Sequence, residues 1–227
     1  TLPEHFSILT LIPLSKQLKL YLRKIRKMVF GFDFDNTIVN YEEAIPRIAS
    51  KMFNLPSDVK KTKLGIKSHL QTNLRENDCT EFQGMLYGPG IHYAKPYDGA
   101  VECIKQIKKK GMRTVIVSHR TKYPFLGPKY NLHKFALEWI ELNLCADQKR
   151  LFEIEDVFFL ETKEKKISTI KEVMCEFFID DLVSILKDTN FPNECKKILF
   201  DPYSHQDKDL SDFKAKVSSW NDVKYIL

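Results

Sequence analysis

The sequence lacks paired cysteines and has no long apolar run. Cys79, Cys103, Cys145, Cys175 and Cys195 are scattered and odd in number, and no two stand at C-x-x-C spacing. That pattern argues against a disulfide framework, and it gives no support to a zinc site, even a mixed one using His119 or His133. It points instead to small buried side chains in a reducing compartment, and hence to a cytoplasmic protein. The most apolar stretch, "FSILTLIPL", is too short to span a bilayer and carries a proline. Basic residues follow that stretch rather than precede it, the reverse of a secretory leader. Internal repeats and low-complexity tracts are absent.

An excess of one charge sign is also missing from most of the chain. The formal net charge is +6. Residues 1–27 hold Lys16, Lys19, Arg23, Lys24, Arg26 and Lys27 against Glu4, a net +5, which leaves +1 for the other 200 residues. The body is nearly neutral, which argues against a nucleic-acid partner. The stretch "KQLKLYLRKIRK" carries Leu18, Leu22 and Ile25 at roughly helical spacing. We read it as a helix that rests one face on the domain rather than on an anionic surface. Met28 stands just before the first strong strand, so residues 1–27 are read as a basic amino-terminal extension.

What the chain does have is a regular alternation. "MVFGFDF" (28–34), "RTVIVSH" (113–119), "VFFL" (157–160), "EFFID" (176–180) and "KILF" (197–200) are short, nearly continuous apolar runs, as expected of strands buried on both faces. Helical patterns lie between them: "DGAVECIKQIKKK", "LHKFALEWIEL" (132–142) and "TKEKKISTIKEV" (162–173). Strand–helix alternation predicts an α/β fold with a parallel sheet covered on both faces. From Tyr41 to about Tyr93 the alternation stops, and three helical segments stand where one crossover would suffice. We therefore expect a catalytic core over 28–40 and 94–227, with a small helical subdomain inserted over 41–93.

Each predicted strand ends in a residue that can do chemistry. The first gives Asp33 and Asp35, then Thr37; the second gives Ser118; the fourth gives Asp180 and Asp181. Lys163, Lys165 and Lys166 follow the third. Acids two apart in a strand project to one face and repel. In a parallel sheet all these ends meet at one edge. Clustered carboxylates there call for a cation, and hard oxygen donors favour Mg²⁺. Magnesium beside a lysine and a hydroxyl makes a phosphate cradle.

"DFDNT", "VIVSH", a lysine on the helix before the fourth strand, and "FFIDD" together resemble the four ordered motifs of the haloacid dehalogenase-like (HAD) hydrolase superfamily, over roughly residues 28–200. The resemblance implies a Rossmann-like core and a Mg²⁺-dependent phosphatase acting on a small phosphorylated metabolite. It implies Asp33 as nucleophile and Asp35 as general acid, then base. Mg²⁺ would lie on the Asp33 carboxylate, the Asp35 carbonyl and Asp181, with Asp180 bracing the site. Ser118 would hold the phosphoryl group and Thr37 the motif loop. The motif lysine is Lys163 or Lys166, weighed evenly, with Lys165 third. His119 and Arg120 are substrate-contact candidates, against the alternative of a solvated loop. The long connection "PFLGPKYNLH" after them is expected to help shape the pocket. Tyr87, Gln83 and Arg47 are candidates from the insertion. That insertion resembles helical caps, which select small metabolites over proteins, and "FQGMLYGPG", "VSHRT" and "FIDDL" together resemble bacterial members encoded near surface-glycan genes, which implies sugar phosphates somewhat more than other esters. A phosphomutase, a nucleic-acid 3′-phosphatase and a non-catalytic module of the same fold are the competing readings.

Overall fold

In the computed structural model, residues 27–60, 62–72, 76–204 and 212–226 are described. The basic stretch read as a helix therefore lies outside the described residues, apart from Lys27. The central sheet is built from β1 (Val29–Phe32), β4 (Arg113–His119), β7 (Val157–Leu160), β8 (Phe177–Asp180), β9 (Lys196–Phe200) and β10 (Ala215–Val217). Its strand order is β10-β9-β8-β1-β4-β7, and every neighbouring pair is parallel. β1 is central, and the chain builds outward from it first to one side and then to the other. Such a reversal leaves a crevice at the carboxyl ends of the strands around β1.

Alternation along the strands feeds two cores. Phe30, Phe32, Ile116, Ile179, Ile198 and Phe200 belong to one. On that side they meet α4 (Ala100–Lys109), α5 (Leu132–Asn143) and α8 (Trp220–Val223), whose Trp139 and Trp220 are buried. Val29, Val115, Val117, Phe178 and Leu199 belong to the other, against Ile167 and Ile170 of α6 (Lys163–Glu172) and Ile185 and Leu186 of α7 (Val183–Leu186). Burial of both faces explains why the strand sequences do not alternate in polarity. All five cysteines are unbridged, with Cys103, Cys175 and Cys195 buried and Cys145 exposed.

Between β1 and β4 the chain forms α1 (Ala44–Met52), α2 (Lys63–Thr72) and α3 (Glu76–Tyr87), followed by a 3-10 turn over Pro89–Tyr93. A two-stranded ladder closes this helical segment at its base: β2 (Val39–Asn40) runs antiparallel to β3 (Lys95–Pro96). No residue pattern marks that ladder, nor the hairpin of β5 (Cys145–Ala146) with β6 (Lys149–Arg150), nor β10. Among the described residues, no helix is long and apolar enough to cross a membrane.

Gly31, in the middle of β1, has Phe178 of β8 and Cys175 lying over it. A Cβ there would stand 2.5 Å from Phe178 Cδ2 and 2.6 Å from Cys175 Sγ. Gly31→Ala therefore overpacks the central strand and should cost about 1–3 kcal/mol. Urea unfolding checks this, and a midpoint equal to that of the parent would show that the spacing of β1 and β8 yields.

Candidate active site

β1 stops at Phe32, and the Asp33 N–H donates to the Ile179 carbonyl at 2.9 Å, fixing the first acid against β8. The chain then turns. The Phe34 carbonyl accepts from the N–H groups of Ile38 and Val39, both at 3.0 Å, and Asn36 takes a left-handed φ of 60°. Asparagine tolerates that conformation better than most residues. Asp33 and Asp35 thus do not share the face of one strand, as the two-residue spacing suggested. They belong to different parts of a strand-to-turn corner and have different partners.

Asp33 is buried. Its Oδ1 accepts from Ser118 Oγ at 3.0 Å and from Lys166 Nζ at 2.6 Å. Lys166 Nζ also donates to Asp180 Oδ2 at 2.6 Å, and its ammonium lies 5.5 Å from the centre of the Phe178 ring. The other Asp180 oxygen accepts from the Leu182 N–H at 2.8 Å. Burial lowers the Lys166 ammonium, but Asp180 and Asp33 outweigh it and hold the ammonium above its ordinary range. Burial pushes the Asp180 carboxyl up, and Lys166 only partly opposes it.

The two lysines differ in position. Lys166 reaches the acids, whereas Lys163 at the start of α6 pairs with Asp188 at 2.6 Å. Lys165 is exposed, and its N–H is bound by Thr162, which caps the helix. Ile167 and Ile170 turn one side of α6 into the core, and Lys166 beside them is carried inward.

Asp181 is half-buried and takes a long contact, 3.4 Å, from Thr37 Oγ1. Thr37 itself is buried, and its carbonyl accepts from Trp220 Nε1 at 3.0 Å. One oxygen from each of Asp33, Asp180 and Asp181 lies within 4.8 Å of the others. With Lys166 this group carries a net formal charge of minus two, which one divalent cation would neutralise. An all-oxygen, carboxylate-rich donor set fits Mg²⁺.

The residues after Ser118 separate sharply. His119 is exposed, and its Nε2 lies 3.2 Å from the Glu161 carbonyl. Arg120 is not in a solvated loop: it is 4% exposed, and its Nη1 donates to both oxygens of Asp35 at 2.7 and 2.6 Å. Tyr41 Oη also donates to Asp35 Oδ1. Burial, then the Asp35 charge, raise the Tyr41 hydroxyl well above its ordinary range, so it stays protonated and a donor. Tyr41 had no sequence signal beyond being an aromatic residue six positions after Asp35. From the insertion, Tyr87 contributes its carbonyl, which accepts from Arg120 Nη2. Gln83 is exposed, and Arg47 pairs with Glu43 at 3.9 Å and lies over Tyr93, so neither joins the acids. The long connection after Arg120 lies on α3: a Cβ at Gly84 would meet Pro124 Cβ at 2.8 Å.

Solved structures share this fold. The chain is similar to a haloacid dehalogenase-like hydrolase from Streptococcus pneumoniae at 11% identity and a TM-score of 0.56, covering 87% of this chain and 96% of that one. It is similar to the Bacillus subtilis HAD-hydrolase YfnB, bound to magnesium, at 14% identity and a TM-score of 0.55, covering 89% and 99%. A HAD family hydrolase from Deinococcus radiodurans, with bound phosphate and sodium, matches at 12% identity and a TM-score of 0.51, covering 87% and 93%. At these identities the likeness is one of fold. No family model matches the sequence, and no curated protein sequence does.

Two measurements test the electrostatics. Lys166→Met leaves Asp33 and Asp180 buried without their cation, and urea unfolding should show a loss of about 3–5 kcal/mol. Lys163→Met should move the midpoint less, because Lys163 and Asp188 are only partly buried and Asp188 keeps the Asn190 N–H. Separately, Mg²⁺ at ten times its dissociation constant should add about 1.4 kcal/mol. For a chain of this size that raises Tm by roughly 3–6 °C. Asp181→Asn should abolish that rise; an equal rise in the variant would place the ion elsewhere.

Proposed function

We propose that this chain, which has the fold of the HAD hydrolases, is a divalent-cation-dependent phosphatase acting on a small phosphomonoester, with sugar phosphates the favoured class. One observation carries the reading. Asp33 receives a lysine and a serine on one oxygen while it shares a carboxylate cluster with Asp180 and Asp181. An acid held this way is turned into a nucleophile with a built-in counter-charge. No donor among the described residues reaches its Oδ2, which is the oxygen we assign to phosphorus.

The chemistry is two displacements on phosphorus. In the first, Asp35 enters as the carboxylic acid, carrying the proton taken from water in the preceding turnover; Asp33 Oδ2 attacks, the bond to the ester oxygen breaks, and that oxygen leaves with the Asp35 proton. In the second, Asp35 as carboxylate takes a proton from water, the water oxygen attacks phosphorus, and the bond to Asp33 breaks. The products are the alcohol and inorganic phosphate, with both aspartates restored. Lys166 keeps its charge throughout and offsets that gathering at Asp33 and the phosphoryl oxygens. Ser118 Oγ, within hydrogen-bond reach of Asp33, would turn toward the phosphoryl group. Asp33 and Asp181 would hold Mg²⁺, with Asp180 kept in place by Lys166 and Leu182. The ion, when bound, supplies positive charge to the transferring phosphoryl oxygens.

Size selection is assigned to the helices over 41–93, which begin and end beside Asp35 at the β2–β3 ladder. A 3′-phosphatase acting on nucleic acid has no support in the described residues, since the basic stretch that suggested it lies outside them.

The test is phosphate release from sugar, nucleotide and amino-acid monophosphates, with Mg²⁺ and with chelator. Asp33→Asn should abolish release, and chelator should do the same. Asp35→Asn should cost about 10²–10⁴-fold with alkyl esters. A phosphomutase would instead return a phosphorylated isomer. No release from any ester, or equal release by Asp33→Asn, would sink the hydrolase reading in favour of a non-catalytic module.

A further inference from the structure

The orientation of Asp35 is not set by its own turn. Both its oxygens are taken by one nitrogen of Arg120, and a second donor, Tyr41, shares Oδ1. Arg120 in turn is fixed on every side. Its Nε donates to the Leu132 carbonyl at the start of α5, at 3.2 Å, and its Nη2 to the Tyr87 carbonyl at the end of α3. Its backbone N–H donates to Leu160 of β7 at 2.8 Å. Its carbonyl accepts from His133 Nε2 at 2.8 Å, so that nitrogen carries the ring proton. The guanidinium lies 5.7 Å from the centre of the Phe34 ring and 5.5 Å from that of Tyr87. With all three nitrogens committed to protein, this side chain is badly placed to follow a substrate, the role its sequence position suggested.

We propose that Arg120 is a positioning residue: it aims the Asp35 carboxyl at the ester oxygen, and it refers that aim to the end of α3, where the helical segment returns to the core. The inference rests on reading Asp35 as the group that gives and takes the proton. The geometry behind it is a planar fork with three separate addresses. Asp35 lies on Nη1, the carbonyl of Tyr87 on Nη2 and the carbonyl of Leu132 on Nε. A lysine offers one point charge and cannot hold three addresses at once. Losing the fork leaves Asp35 with Tyr41 alone, so the carboxyl can turn away while Asp33, Ser118 and Lys166 keep their own bonds.

The experiment has a structural arm and a kinetic arm, run on the full chain with Arg120→Gln and Arg120→Lys. Crystal structures of both variants should show Asp35 displaced or in several rotamers, with Asp33, Ser118 and Lys166 unmoved. In kinetics with Mg²⁺, an alkyl phosphomonoester needs a proton on its leaving oxygen, and its turnover should fall about 10²–10⁴-fold. 2,4-Dinitrophenyl phosphate does not need that proton. It should still release about one equivalent of phenolate per site in a burst, then stall, because water activation also depends on Asp35. A purely structural role would depress both esters and the burst together.

Asp35 unmoved in the Gln variant, or a dinitrophenolate burst lost together with the alkyl-ester rate, overturns the proposal. So does a lysine variant that restores both the place of Asp35 and the alkyl-ester rate, since Arg120 would then be only a counter-charge. If the Gln variant does not fold, the Lys variant, which keeps the charge, still decides. If the parent cleaves neither ester, the phosphatase reading fails, and the crystallographic arm still shows whether Arg120 places Asp35.

Discussion

A lysine buried between two aspartates is the contact around which the carboxyl edge of the sheet is organised. Parallel strands bring their carboxyl ends to one side of the sheet, and here two adjacent strands, β1 and β8, deliver buried acids side by side. Two carboxylates held that way without a cation would each carry a desolvation cost that the surrounding apolar core cannot offset. Lys166 meets both, at 2.6 Å each, from a helix that packs on the opposite face from the aromatic core. The ammonium thus joins β1, β8 and α6 in one electrostatic unit. It also leaves an excess of negative charge at the mouth, where Asp181 stands, and that excess is what makes the edge a place for a divalent cation.

The second acid is balanced separately. Asp35 has its own buried cation in Arg120, so the two aspartates of "DFDNT" are not a like-charged pair waiting for a shared counter-ion. Each sits in its own ion pair, one anchored to the sheet and one to the corner between sheet and insertion. This division suits two-step phosphoryl chemistry, in which the nucleophile must stay ionised and fixed while the proton carrier must serve first the ester and then water. A site in which both carboxylates drew on one cation would couple those tasks. Here each acid keeps its own cation, Lys166 for Asp33 and Arg120 for Asp35.

The sequence made the sheet legible because doubly buried strands are written as plain apolar runs. β4 and β7 follow "RTVIVSH" and "VFFL" to the residue, and β8 and β9 lie within one residue of their runs. Elements whose residues carry no such mark were missed. β2, β3, β5 and β6 are two residues long, and "AKV" of β10 is too short to show a period. The site divides in the same way. Asp33, Asp180, Asp181 and Ser118 converge because strand ends must converge. Lys163 and Lys166 could not be separated, because the choice depends on which side of α6 faces the sheet, and both stand at helical spacings from isoleucines. Arg120 looked like a loop residue beside an exposed histidine. Its burial is set by α3 and α5, elements distant in sequence, and so is the role of Tyr41.

That dependence on distant elements also says where the insertion exerts its influence. Asp35 is bridged to Val39, β2 begins at that residue, and β2 is paired with β3 where the chain returns to the core. Tyr41 lies just past β2, and Tyr87 ends the last helix before the return. The two crossings between core and insertion are therefore hydrogen-bonded to each other within a few residues of the second acid. The Tyr41 and Tyr87 rings meet edge to face at 5.3 Å beside it. Asp35 is thus tied to the base of the helical segment through Tyr41 and Arg120, whereas Asp33 is tied to β8 and α6. On the reading proposed above, the nucleophile would belong to the sheet and the proton carrier to the base of the insertion. On that reading the residue that would handle the proton, rather than the one that would attack phosphorus, is the one the insertion holds, through Tyr41 and through Arg120 on the Tyr87 carbonyl.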